Sequence, residues 1–124
     1  MIHKPSILLI EPDDSLANKI CMSLKTAGYN VTRSRDIAEG IKFVTMSPNL
    51  VVLHGDVAAS QLEMPYYKIR QAAYTPIIVY GDEKRRAEVL ESGADAYMNN
   101  PLNLGELIAR VKSFLRRKES AAKK

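Results

Sequence analysis

The sequence predicts a doubly wound α/β fold, in which a parallel five-stranded sheet is covered by helices on both faces, built from 124 residues. Three observations predict it. Short apolar runs alternate with helical spacings five times along the chain. Several of these runs are apolar at every position, as strands buried on both faces must be. Clusters of acid, glycine and proline punctuate each change of period. Right-handed crossovers leave few strand orders, and the flavodoxin-like order 2-1-3-4-5 is the expected one.

The first strand is Ile7-Leu8-Leu9-Ile10. It ends in Glu11-Pro12-Asp13-Asp14-Ser15, a helix-start cluster, after which Leu16, Ile20, Leu24 and Ala27 recur at helical spacing. Gly28 stands where such a helix is capped. Residues 30–34 read as a second strand, and Asp36 as the N-cap of a helix that aligns Ile37, Ile41 and Val44. Leu50-Val51-Val52-Leu53 is the third strand, followed by a loop over 55–60. Pro65 suits the first turn of a third helix carrying Tyr66, Ile69 and Arg70. Ile77-Ile78-Val79-Tyr80 is the fourth strand, 84–91 a short fourth helix closed by Gly93, and Ala96-Tyr97-Met98 the fifth strand. Asn103 is the expected N-cap of a long last helix with an apolar stripe of Leu104, Leu107, Ile108, Val111, Phe114 and Leu115.

Composition fits one domain, expected over 1–118, with 119–124 set apart as a basic tail or the stub of a linker. Hydrophobic residues make up 46% of the chain and charged residues 26%, ordinary proportions for a globular protein. Cys21 is the sole cysteine, so no internal disulfide forms, and its place in an apolar pattern suits a small core residue in a reducing compartment. No apolar run is long enough to span a membrane, and no cleavable leader is evident, so a cytoplasmic location is expected. The net charge of +4 owes much to Arg116, Arg117, Lys118, Lys123 and Lys124. Cations favour the end of a helix, which accounts for the cluster without a nucleic-acid partner.

In such a sheet the site lies beyond the carboxyl ends of the strands. Those ends carry Glu11, Pro12 and Asp13; His54, Gly55 and Asp56; Gly81 and Asp82; and Asn99, Asn100 and Pro101. With the segments ILLIEPDD, GYNV, PNLVVLHGD, TPIIVYGDE, ESGADAYMNNPL and GELIARVKSFLRR, they carry a resemblance. The chain resembles the receiver domains of two-component response regulators, the CheY-like superfamily, over about positions 6 to 117, and most closely the winged-helix (OmpR/PhoB-type) subfamily.

The resemblance implies a phosphorylation pocket. An active receiver takes a phosphoryl group on its own aspartate, using acids that hold Mg²⁺, a hydroxyl and a lysine. This sequence departs at four places. The first acid is kept as Glu11, but the second is Pro12, the acceptor is His54, the hydroxyl position is Gly81 and the lysine position is Asn100. Loss of one electrostatic stabiliser alone raises such a barrier by ~3 kcal/mol. The expectation is therefore a degenerate, atypical pseudo-receiver: not an enzyme, without metal or cofactor, acting through protein contacts. Two alternatives stay open, phosphorylation at a displaced acceptor such as Asp56 and sensing of a small molecule in the space left by Gly81 and Asn100.

The other polar residues have two readings each. Asp13 is a substitute metal ligand or an exposed acid at the start of the first helix, and Asp14 an N-cap or first-turn acid. His54 is a satisfied histidine, a metal ligand with Glu11 and Asp13, or a pH-responsive group. Tyr97 sits at the family's aromatic switch position, but Gly81 provides no hydroxyl to couple to it. The stretch from 81 to 93 is shorter than in the family, which suggests a fixed arrangement. The resemblance also implies a dimerisation face on the fourth helix, fifth strand and last helix, with Arg86, Leu90, Asp95, Glu106, Ala109 and Arg110 as its residues. Ala96 replaces an acid expected to pair with Arg110. No helix-turn-helix is present, so contact with DNA would fall to an output domain fused beyond Lys124.

Overall fold

A computed structural model describes residues 4–56 and 75–122. Strands β1 (Ser6–Ile10), β2 (Asn30–Ser34), β3 (Leu50–His54), β4 (Ile77–Gly81) and β5 (Ala96–Asn99) form one parallel sheet in the order β2-β1-β3-β4-β5, as expected. Each strand falls within a residue of its expected bounds. The helices are α1 (Asp14–Thr26), α2 (Ile37–Val44), α3 (Arg86–Ser92) and α4 (Leu104–Ala122), with a 3₁₀ turn over Glu83–Arg85 ahead of α3. The expected third helix, with Pro65, Tyr66, Ile69 and Arg70, lies outside the described residues.

Alternation along each strand builds two cores. Ile7, Leu9, Leu50, Val52, Ile78 and Tyr80 face Ala17, Ile20 and Leu24 of α1 and Leu107 and Val111 of α4. Leu8, Ile10, Val51, Leu53, Ile77 and Val79 face Ile37 and Val44 of α2 and Val89 of α3. All these strand residues are at most 1% exposed, which is why both faces read as continuous apolar runs. Gly40 lets α2 approach β1 closely: a Cβ there would lie 2.5 Å from Ile10 Cδ1 and 3.0 Å from Ser34 Oγ.

Caps set the helix ends. Asp36 accepts from the Glu39 N–H at 2.8 Å and Asn103 from the Glu106 N–H at 2.9 Å, both as expected. At α1 the cap is Asp13, which accepts from the Leu16 N–H at 2.8 Å, and Asp14 is the acid of the first turn. Gly93 ends α3 with a φ of 124°, in the left-handed region. One expectation needs correction. The stretch after β3 begins with two helical residues, Gly55 and Asp56, where a loop was expected. The last helix runs on to Ala122, through the first residues of the stretch expected as a tail or linker stub.

Candidate functional site

The strand ends bring Glu11, His54 and Tyr80 into contact. Glu11 follows β1 and is only 2% exposed, an unusual place for a carboxylate. Both its oxygens are engaged. The Tyr80 hydroxyl donates to Oε1 at 2.6 Å, and the Asp13 backbone N–H donates to Oε2 at 2.8 Å. His54 and Tyr80 are register partners on neighbouring strands, and their rings meet edge to face with centroids 5.3 Å apart. His54 Nε2 lies 3.9 Å from Glu11 Oε1, while Nδ1 accepts the Asp56 N–H at 3.0 Å. That last bond leaves the proton of a neutral imidazole on Nε2, the side facing Glu11.

The substitute-ligand reading of Asp13 fails on geometry. Its carboxylate caps α1, and only its main chain reaches Glu11. Among the described residues no three His, Cys, Asp or Glu side chains gather as a metal site would require. Asp56 has a side chain 71% exposed, with Oδ1 3.5 Å from Arg85 Nε. Asn100 is exposed, and its backbone N–H donates to the Gly81 carbonyl at 2.8 Å. Pro12 is exposed as well.

The space beside Gly81 is filled from within. Tyr97, 2% exposed, turns its ring inward, and its hydroxyl donates to the Asp82 carbonyl at 2.6 Å. A Cβ at Gly81 would lie 2.9 Å from that hydroxyl oxygen, and one at Gly55 would lie 3.3 Å from it. Glycine at both positions therefore makes the room the phenol occupies. Among the described residues, the phenol occupies the space beside Gly81 where the small-molecule expectation placed a ligand.

Two members of the site were missed by sequence reading. Tyr80 reads in the sequence only as the end of the fourth strand, yet its hydroxyl closes the pocket over Glu11. Arg33 on β2 clasps the β1–α1 connection: Nε and Nη2 donate to the Glu11 carbonyl at 2.9 and 2.7 Å, and Nη2 to the Pro12 carbonyl at 3.2 Å. Its Nη1 lies 2.9 Å from Asp14 Oδ1, with Arg35 Nη2 3.2 Å from the same oxygen. The Arg33 hydrogen bond, with the charge of Arg35 beside it, holds the Asp14 carboxyl below its ordinary range.

Burial and then the Glu11 hydrogen bond push the Tyr80 phenol far above its ordinary value of 10.0. The sign of the consequence is fixed. Below that value both the folded and unfolded chains keep the proton. Above it the unfolded chain loses the proton and the folded chain does not, so stability falls as pH rises. The expected slope is about 1.4 kcal/mol per pH unit for this phenol. Urea titrations at increasing alkaline pH check it, with Tyr80→Phe showing the weaker dependence on pH.

The expected partner face is largely engaged within the chain. Arg86 Nη1 donates to the Tyr97 carbonyl at 3.1 Å, and Asp95 Oδ2 accepts the Ile77 N–H at 2.7 Å. Glu106 pairs with Arg110 one turn along α4 at 3.4 Å. Leu90, 36% exposed, and Ala109 present apolar surface beside them.

Comparison with known proteins places this geometry. No family model matches the chain. It is 34% identical over 123 residues to the alkaline phosphatase synthesis transcriptional regulatory protein PhoP of Bacillus subtilis, covering 94% of this chain and 50% of that one. It is 34% identical over 125 residues to the probable transcriptional regulator ycf27 of Cyanophora paradoxa, covering 96% and 52%. A two-component response regulator from Clostridium difficile superposes with a TM-score of 0.83 at 27% identity, covering 93% of this chain and 98% of that one. The chain is a CheY-like receiver domain, and its curated relatives are response regulators of the OmpR/PhoB type. It spans about half the length of the curated relatives it matches. Among the described residues no helix is long and apolar enough to cross a membrane.

Proposed function

We propose that this receiver signals through protein contacts without forming an aspartyl phosphate and without catalysing a reaction of its own, in the cytoplasm, within a two-component-type pathway. The observation that carries this reading is the closed pocket. Glu11 has given both oxygens to Tyr80 and Asp13, and the Tyr97 hydroxyl stands where a side chain at position 81 would be. A metal ion entering there would have to strip the buried carboxylate of two hydrogen bonds, each short, and would find His54 in place of the acceptor. Incubation with acetyl phosphate and Mg²⁺ followed by intact mass measurement is expected to show no stoichiometric phosphorylated species. A full phosphoryl increment that vanishes on Asp56→Asn would establish the displaced acceptor instead.

The surface for those contacts is α3, β5 and α4, through which a second copy or another protein would dock. Leu90 and Ala109 supply apolar area, and the Glu106–Arg110 pair is exposed enough to exchange partners at little cost, since such pairs contribute about 0–1 kcal/mol. A symmetric interface there must be self-complementary. Sedimentation is expected to show a concentration-dependent dimer that Glu106→Arg weakens. A monomer in both proteins would remove the homodimer. Contact with DNA, where it occurs, would belong to an output domain beyond this one.

A further inference from the structure

The geometry points to His54 as a proton-operated switch, which moves Asp56 from Arg85 to the imidazole and so loosens the turn that holds Tyr97. Imidazole is the side chain that changes charge between about pH 5 and 8. In the neutral form Nδ1 accepts the Asp56 N–H at 3.0 Å. That bond cannot survive protonation, because two N–H groups would then face each other. Among the described residues an acceptor lies within short reach of a new Nδ1 proton: Asp56 Oδ2 is 3.9 Å away. On the other side of the ring, Nε2 keeps its proton and faces the buried Glu11 carboxylate at 3.9 Å.

Closing on the imidazolium draws Asp56 toward His54 and alters its geometry at Arg85. Its other oxygen is 3.5 Å from Arg85 Nε. Arg85 ends the 3₁₀ turn over Glu83–Arg85, whose N-cap is Asp82. The Asp82 carbonyl is the acceptor that holds the Tyr97 hydroxyl, and Arg86, the next residue, holds the Tyr97 carbonyl. A proton on His54 therefore reaches the α3–β5 surface through two ion pairs and one turn.

The titratable and charged groups around the ring, among the described residues, are Glu11 just after β1, Tyr80 from β4, Asp56 just after β3 and Arg85 from the turn after β4. Arg33 of β2 lies behind Glu11, on its main-chain carbonyl. The inference does not rest on the absence of phosphorylation; it concerns what the imidazole does where the family carries an aspartate.

The test follows the His54 ring, the Arg85 Nε–H and the Tyr97 ring by NMR in the full 124-residue chain across about pH 5 to 8. One shared midpoint is expected in all three signals. In Asp56→Asn, His54 should still titrate while the Arg85 and Tyr97 shifts flatten; in His54→Gln, both should be flat. The substitution at Asp56 changes an exposed side chain, so folding does not confound it. A His54 that titrates alone, or fails to titrate in this window, overturns the inference. So do Arg85 and Tyr97 shifts that persist in His54→Gln, which would assign them to another group such as His3.

Discussion

Replacing Glu11 with alanine is expected to lower the free energy of unfolding by about 3 kcal/mol, because it strands the buried Tyr80 hydroxyl. The Tyr80 hydroxyl is fully buried and has Glu11 Oε1 as its acceptor at 2.6 Å. The Asp13 N–H loses Oε2, but it lies near the surface, where water replaces the carboxylate. Most of the loss therefore falls on Tyr80, with a smaller part from the space left behind. Tyr80→Phe removes the donor and leaves a buried carboxylate with one partner fewer, a loss of about 1–3 kcal/mol. The double substitution should cost less than the sum, since the two groups lose each other only once. Urea unfolding of the four proteins measures this. A Glu11→Ala loss below about 1 kcal/mol would mean that water already reaches the carboxylate, and the closed pocket would be wrong.

Strands β1, β3 and β4 were legible because each is a nearly uninterrupted apolar run, and a parallel sheet buried on both faces needs that. The site's location was legible for the same reason: once strand ends are known, Glu11, His54, Gly81 and Asn100 fall there by connectivity. Their partners were not. Arg33 reaches the Glu11 carbonyl because β2 pairs with β1 in the register Leu9↔Arg33, and nothing in the local sequence states a register. Tyr80 carried a signal that went unread: a tyrosine as the last large residue of a buried strand, just ahead of a glycine, needs somewhere to put its hydroxyl. Arg86 and Asp95 read as surface charges, but each is held to the main chain of a neighbouring strand. Intrachain acceptors of that kind are invisible without the fold. Gly81 read as a loss of function, since a sequence shows the missing hydroxyl but not the phenol that fills its place.

Restoring that side chain with Gly81→Thr is expected to drive Tyr97 out of its seat. Strand β4 cannot yield, because Gly81 is paired with Asn99 of β5, and the other near neighbours of a Cβ there are backbone atoms of Gly55, Cα at 3.5 Å and N at 3.6 Å. The flexible group is Tyr97, whose hydroxyl oxygen would stand 2.9 Å from the new Cβ. Crowding costs about 1–3 kcal/mol, and the lost bond to the Asp82 carbonyl about 1 kcal/mol more. A β-branched residue in place of a strand glycine returns roughly 1 kcal/mol. The net change in stability is therefore modest, about 1–3 kcal/mol, while the change in position is large. Burial, with Asp82 second, raises the Tyr97 phenol above its ordinary 10.0. Ejection removes the first cause, so spectrophotometric titration of the folded variant should show one more phenol ionising near the ordinary value. Gly81→Ala should give a partial effect, because it adds the Cβ alone. If Gly81→Thr leaves both the titration and the stability unchanged, the phenol was never confined by the glycine. If Tyr97 does leave, the Arg86 contact to its carbonyl is the next link to loosen, and any dimer formed through α3, β5 and α4 should weaken with it. That linked outcome would separate a surface held in one arrangement by a missing side chain from one that is merely static.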